Sequence, residues 1–260
     1  MARAATADLR KILARGKPLA VPGASDALSA RLIEAHGYEC VYIGSYATAA
    51  SRLGITDTGL LSLELLVEQA RTIARAVRIP VIADAEGGFE PHKAVSAFED
   101  AGVAAIHIED HMGAGKHTDG PQQLRPVKEA AERIRAAVAA RKDPDFLIVA
   151  RSDAFWVHRD LEDCIARLQL YAEAGADMVF PTMVGGAELA EVRRRNARPL
   201  MIVDNPGEQH EGAAVVLYYA FSITHQFAAL QRALADGKLA SDTQPLEDFL
   251  GYKDAGGRSQ

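Results

Sequence analysis

Short apolar runs recur along the chain, separated by longer segments whose apolar residues fall three and four apart. The runs are Pro18–Gly23, Cys40–Gly44, Val81–Ala83, Ala104–Ile108, Phe146–Ala150, Met178–Thr182, Leu200–Val203 and Ala214–Tyr218. They are too short for helices and lack the alternation of a strand wetted on one face. They therefore predict strands buried on both faces, as in a parallel sheet. The intervening segments predict helices over 7–15, 27–36, 62–77, 91–100, 126–141, 160–174, 187–195 and 222–236, with a weak helical segment near 246–252. In the helix over 62–77, Leu63, Leu66, Ala70, Ile73 and Ala74 share one face. Ser25 and Asp26 are candidate N-caps, and Pro91 suits a first helical turn.

Eight strands alternating with helices in a chain of 260 residues predict an α/β fold, a single (β/α)₈ barrel. An open doubly wound sheet is the alternative, but no G-x-G-x-x-G follows the first strand. No linker-like stretch divides the chain, so one domain is expected over 1–260, with a polar tail from about 237.

Charge and composition narrow the partners. The formal net charge of −6 offers no basic stripe to nucleic acid. The two cysteines, Cys40 and Cys164, form neither a C-x-x-C pair nor a disulfide framework, which fits a reducing compartment. The N-terminal residues lack the apolar core of a signal peptide, and no apolar run reaches membrane-spanning length. A cytoplasmic protein with neither membrane nor nucleic-acid partners is expected.

The chemistry is concentrated where two strands end. Pro80-Val-Ile-Ala-Asp-Ala-Glu-Gly-Gly-Phe89 leaves an apolar run at Asp84 and Glu86, and Ala105-Ile-His-Ile-Glu-Asp110 leaves another at Glu109 and Asp110. Carboxylates at buried strand ends need solvent, a partner or a cation. Such residues also cap helices and form structural ion pairs, but two such pairs about one βα unit apart favour a hard divalent cation. Mg²⁺, with Mn²⁺ as a substitute, prefers this oxygen-rich surrounding. The other polar residues expected at the strand ends are Ser25, Asp26, Ser45, Arg151, Asp153, Thr182 and Asn205, with Asp57 in the loop after the second strand. Arg151 could grip a substrate carboxylate through two parallel hydrogen bonds, or pair structurally with Asp153 or Glu109. His107 reads as a core histidine, and His36 and His92 as surface residues. His111, Lys116 and His117 belong to a glycine-containing loop that suits a lid. No Ser-His-Asp or Cys-His nucleophile, Walker motif or zinc spacing is present.

Four segments together carry a resemblance. Asp84-Ala-Glu-Gly-Gly-Phe89, Ile108-Glu-Asp110, Val149-Ala-Arg-Ser-Asp153 and Ser45…Leu53-Gly-Ile-Thr-Asp57 resemble the isocitrate lyase/phosphoenolpyruvate mutase superfamily, in order and correctly spaced over about residues 18–185. The resemblance implies a barrel that forms a dimer of dimers, with the last helix exchanged between subunits. It also implies Mg²⁺-assisted stabilisation of an enolate derived from a small 2-oxo or 2-hydroxy acid. Carried over by residue, Asp57, Asp84, Glu86 and Glu109 correspond to the Mg²⁺ shell and Arg151 to the carboxylate-binding arginine. Ser45 with the backbone N–H groups of Tyr46 and Ala47 corresponds to the cradle for a substrate oxygen. Lys116 transfers from the lid.

The departures bear on the reaction. The lid Gly115-Lys-His-Thr-Asp-Gly120 is short and lacks the cysteine that donates a proton in the lyase branch, leaving His117 as the candidate replacement acid. Tyr46 stands where glycine is common and would narrow the pocket. Residues 204–219 are too few for the usual passage between the last two strands, so none is carried over. Three readings follow: a Mg²⁺-dependent carbon–carbon lyase or decarboxylase of a small dicarboxylic acid, a phosphonomutase or phosphonopyruvate hydrolase, or a binding barrel without catalysis. Loss of the cysteine disfavours isocitrate and methylisocitrate cleavage more than decarboxylation.

Overall fold

The structure, a computed structural model, describes residues 2–59, 61–112, 116, 122–204, 210 and 212–251. Its elements run α1 (Ala2–Leu13), β1 (Leu19–Pro22), α2 (Ala27–Ala35), β2 (Val41–Ile43), α3 (Ser45–Thr48) continued by a π-turn over Ala49–Leu53, α4 (Leu63–Ala76), β3 (Val81–Asp84), α5 (Pro91–Ala101) and β4 (Ala105–Glu109). They continue with α6 (Val127–Ala140), β5 (Leu147–Ser152), α7 (Ala154–His158), α8 (Leu161–Glu173), β6 (Met178–Pro181), α9 (Gly186–Arg195), β7 (Met201–Val203), β8 (Val215–Tyr218), α10 (Phe221–Ala235) and α11 (Gln244–Leu250). The chain divides into two compact units, Met1–Ile223 and Thr224–Gln260. The first holds all eight strands. The second holds most of α10 and the short α11, which ends at Gly251 in the left-handed conformation.

All strand pairs are parallel. One group runs β1-β8-β7 and the other β2-β3-β4-β5-β6. Single bridges join them, Gly23 to Tyr42 and Val179 to Leu200, with the Ala24 N–H donating to the Tyr42 carbonyl at 2.8 Å. Closure therefore follows sequence order, and the expected barrel is what forms. Gly23 permits the seam beside β8, because a Cβ there would collide with the Tyr219 carbonyl oxygen.

Of the two candidate caps before α2 the one used is Asp26, which forms a capping box with Ser29, and Pro91 opens α5 as expected. Ser62 and Glu90, which the sequence reading did not single out, cap α4 and α5. Two short helices were not expected, because α3 and α7 are each shorter than two turns and carry no apolar period. β5 also runs two residues further than its apolar run, since Arg151 still pairs with Glu109 and Ser152 with Pro181 across the ladders.

Period-two alternation sorts every strand between two cores. Val41, Ile43, Val81, Ala83, Ile106, Ile108, Ile148, Ala150 and Val179 face the helices. Tyr42, Ile82, Ala105, Leu147, Val149, Met178 and Phe180 fill the barrel, joined by Leu9 and Ile12 of α1. Continuing the inward set to the strand ends places Asp84, His107, Glu109, Arg151 and Thr182 inside. The chemistry of the mouth is a consequence of register.

Candidate active site

The barrel mouth begins with the turn after β3. Asp84 Oδ1 accepts the Glu86 N–H at 2.8 Å, folding the turn on its own carboxylate. Glu86 is held at φ +48, a left-handed conformation unusual for a side-chain-bearing residue, and Gly88 follows at φ +80. A Cβ on Gly88 would lie 2.8 Å from Ile108 Cγ2, so the turn needs glycine for space as well as for its φ. The strained turn aims Glu86 at Glu109 on the neighbouring strand.

Asp84, Glu86 and Glu109, all buried, bring ligand oxygens within 4.8 Å of one another. Ser45 Oγ stands 2.9 Å from Asp84 Oδ2 and 2.7 Å from Asp57 Oδ2, so one hydroxyl joins the fourth carboxylate to the group. Lys116 Nζ lies 2.9 Å from Glu86 Oε2, 3.0 Å from Glu109 Oε2 and 4.0 Å from Asp57 Oδ2. Its ammonium is the positive charge at the centre of the cluster. The donors fit a hard cation. They are all oxygen, they converge, and Glu86 Oε1 is buried without a hydrogen-bond partner.

Burial raises the Glu86 carboxyl to about 8, and the charge on Asp84 adds to the rise. Burial raises Glu109 as well, despite Arg151 and Lys116. Asp84 moves the opposite way. Burial acts to raise it, but cationic neighbours and the Glu86 N–H outweigh burial and hold it below the usual carboxylate range. His107 is pushed down to about 4 by burial and is neutral at pH 7, so the cations acting on Asp84 there are Lys116 and Arg151.

Arg151 is gripped from behind. Its Nε and one terminal nitrogen donate to the two oxygens of Asp153 at 2.7 and 3.0 Å, and the other terminal nitrogen lies 3.1 Å from Glu109 Oε2. Asp153 is fixed in turn by Asp110, which accepts its N–H at 2.8 Å and also accepts from Ser152, Tyr171 and Arg167. The structural pairing foreseen for Arg151 is thus present, and Arg151 still lines the cavity. His107 is a core residue, its Nε2 2.9 Å from the Tyr42 hydroxyl. His111 is buried, 2.7 Å from Gln122 Oε1. His36 and His92 are exposed. His117 and Asn205 lie outside the described residues.

A cavity of about 240 Å³ opens onto the cluster, lined by Ser45, Tyr46, Asp57, Asp84, Lys116, Arg151 and Thr182 together with apolar side chains. Tyr46 stands edge-on to Tyr219 with ring centres 5.6 Å apart, and Ala47 is buried behind it. Both Tyr46 and Ala47 lie in the opening turn of α3, where backbone N–H groups have no acceptor within the helix. Sequence reasoning missed Tyr42, Trp156, Met183 and Tyr219 as lining residues. Tyr42 could have been found, since it sits two positions before Gly44 on the inward phase of β2.

A closed parallel barrel with convergent acids and a clamped arginine at one mouth defines an α/β-barrel enzyme. The chain belongs to the phosphoenolpyruvate phosphomutase family, whose sequence model matches residues 9–236. It is 34% identical over 238 residues to the 2-methylisocitrate lyase of Salmonella typhimurium, across 84% of this chain and 80% of that protein. It is 32% identical over 253 residues to the oxaloacetate decarboxylase of Marinomonas sp., across 89% and 87%. The crystal structure of 2,3-dimethylmalate lyase, a member of the PEP mutase/isocitrate lyase superfamily, superposes with a TM-score of 0.85 at 29% identity, covering 95% of this chain and 91% of the other.

Proposed function

We propose that this protein is a Mg²⁺-dependent carbon–carbon lyase or decarboxylase acting on a small 2-oxo or 2-hydroxy dicarboxylic acid. The observation that carries this reading is the convergence of Asp84, Glu86 and Glu109, with Asp57 joined to them through Ser45, next to a cavity that Asp57, Asp84 and Arg151 line. A barrel needs none of these charges in order to pack. The substrate class is supported by relatives named as lyases and a decarboxylase that align over most of both chains.

Asp84, Glu86 and Glu109 would hold Mg²⁺, with Asp57 beside them through Ser45. When bound, the ion supplies positive charge near the oxygen on which negative charge develops. Arg151 uses the N–H donors not taken by Asp153 and Glu109 to orient a substrate carboxylate, and its grip by Asp153 keeps the guanidinium from turning away. Ser45 and the N–H groups of Tyr46 and Ala47 stand where a substrate oxygen would be cradled. Lys116 keeps its proton, because the surrounding carboxylates outweigh burial, so it acts as a fixed cation rather than a base. Both cysteines are buried, Cys40 in the barrel core and Cys164 on α8, so neither serves as the proton donor.

A second reading, phosphorus–carbon chemistry, is favoured by the description of the matching family model. The deciding experiment is an NMR product screen with oxaloacetate, 2-methylmalates, isocitrates and phosphonopyruvate, each with Mg²⁺ and with EDTA. Pyruvate or another oxo acid formed only with metal is the expected result. Phosphate, or a phosphonate-to-phosphate-ester shift, would replace the lyase reading with the second.

A further inference from the structure

The residues that line the cavity divide by strand. Asp84 ends β3, Arg151 lies on β5 beside Glu109 of β4, and Lys116 reaches into the same cluster. The lining residues from β6 to β8 are Phe180, Thr182, Met183, Val203, Leu217 and Tyr219. Because the strands close in sequence order, these two sets stand on different arcs of one ring. No cationic side chain lines the second arc among the described residues. The two cations of the cavity are already matched, Lys116 by Glu86 and Glu109, and Arg151 by Asp153 and Glu109.

We infer that the β6–β8 arc selects a substrate whose substituent beside the reacting carbon is uncharged: an alkyl or arylalkyl group, with at most a neutral polar atom facing Thr182. This rests on the reading of the β3–β5 arc as the site for the acid head. A carboxylate on the substituent would leave water for a wall of Phe180, Val203 and Leu217 whose nearest cation, the Arg151 guanidinium 5.4 Å from the centre of the Phe180 ring, is already matched by Asp153 and Glu109, a costly transfer. Thr182 Oγ1 is buried and makes no hydrogen bond of normal geometry, although it stands near enough to Asp153 to help lower that carboxyl. It can meet a neutral hydroxyl or carbonyl but cannot offset a full negative charge. A tricarboxylic acid is therefore the wrong shape of charge for this cavity, while a dicarboxylic acid with an apolar branch suits it.

The test uses the full chain with Mg²⁺ and succinates, which carry the two carboxylates of the proposed substrate but no 2-hydroxyl or 2-oxo group and so are not cleaved. Calorimetry compares succinate, 2-propylsuccinate and 2-carboxymethylsuccinate, the last a tricarboxylate. The expected result is that succinate binds and that the propyl compound binds about tenfold or more tighter than the carboxymethyl compound. Met183 lines the same arc and is 41% exposed, so Met183→Lys replaces one long flexible side chain with another and adds an ammonium. In that variant the order should narrow or reverse. Equal or tighter binding of the carboxymethyl compound by the unaltered protein would overturn the inference and leave the head site standing. Failure of succinate itself to bind would instead remove the head site, and the inference with it.

Discussion

The two arcs of the barrel mouth are built from the same kind of strand and behave as opposites. On β3–β5 the inward positions are Asp84, Glu109 and Arg151, buried charges that are tolerable only in one another's company. On β6–β8 the corresponding lining is Phe180, Val203 and Leu217, which gains from burial outright. A charged arc stores unfavourable interactions that a bound cation and substrate can relieve. An apolar arc stores none and selects by shape and by the absence of counter-charge. The difference says where substitution should harm activity more than folding, and where it should do little to either.

The largest effect should come from Asp84→Asn. Asp84 accepts hydrogen bonds from Glu86 N–H and from Ser45, and it belongs to the oxygen cluster. Turnover should fall about a hundredfold or more, the scale of losing one preorganised electrostatic group, and Mg²⁺ binding by calorimetry should weaken with it. Stability should fall too, and the pH dependence fixes the reason. Because the Asp84 carboxyl lies below its ordinary range in the fold, its charged form stabilises the protein above the unfolded pKa, and that contribution disappears as pH falls through the folded pKa. The thermal-stability gap between the variant and the parent should therefore be full at pH 7 and close in acid. A gap unchanged between pH 7 and pH 3 would mean that Asp84 acts through shape alone.

Glu86→Gln should act in the opposite direction on stability. Burial and Asp84 raise the Glu86 carboxyl to about 8. An acid raised in the fold is stabilising below its unfolded pKa of about 4.3, and it loses that stability as pH climbs toward the folded value. In EDTA the glutamine variant should gain about 2–4 °C in Tm, with the gain growing between pH 5 and pH 8, while Mg²⁺ binds more weakly. Glutamine keeps an oxygen to accept from Lys116, so the loop contact at 2.9 Å is not what changes. A loss of Tm at pH 8 would show that the ion pair with Lys116 outweighs burial.

Much of this division is readable in the amino-acid sequence. Apolar runs set the strands, and the carboxylates that follow Ala83 and Ile108 had to meet once those strands were neighbours. Register explains why they face inward. What the sequence did not reveal is of a different kind. The grip of Asp110 on Asp153 depends on Tyr171 and Arg167 of α8 arriving at the same oxygen, a long-range coincidence with no local pattern. Trp156 and Tyr219 reach the cavity from a one-turn helix and from the residue after β8, positions that no period marks. Lys116 was expected in a lid and is found among the carboxylates, because a buried ammonium is stable only where opposite charge surrounds it.

The smallest effect belongs to the apolar arc. Thr182→Val keeps the shape of a β-branched side chain and removes one hydroxyl. Thr182 is 6% exposed, and its Oγ1 makes no hydrogen bond of normal geometry. A buried hydroxyl without a partner costs the fold about 1–3 kcal/mol, so its removal should leave stability unchanged or raise it by about 1 kcal/mol at most, given the nearby Asp153. Denaturant unfolding at pH 7 with EDTA is the measurement. A neutral or positive result, together with no change in Mg²⁺ affinity, keeps Thr182 on the arc that faces the substituent. A loss above about 1 kcal/mol, the worth of a satisfied hydrogen bond, would mean that Thr182 already serves Asp153. It would then join the clamp on Arg151, and the boundary between the two arcs would move from β5 to the end of β6.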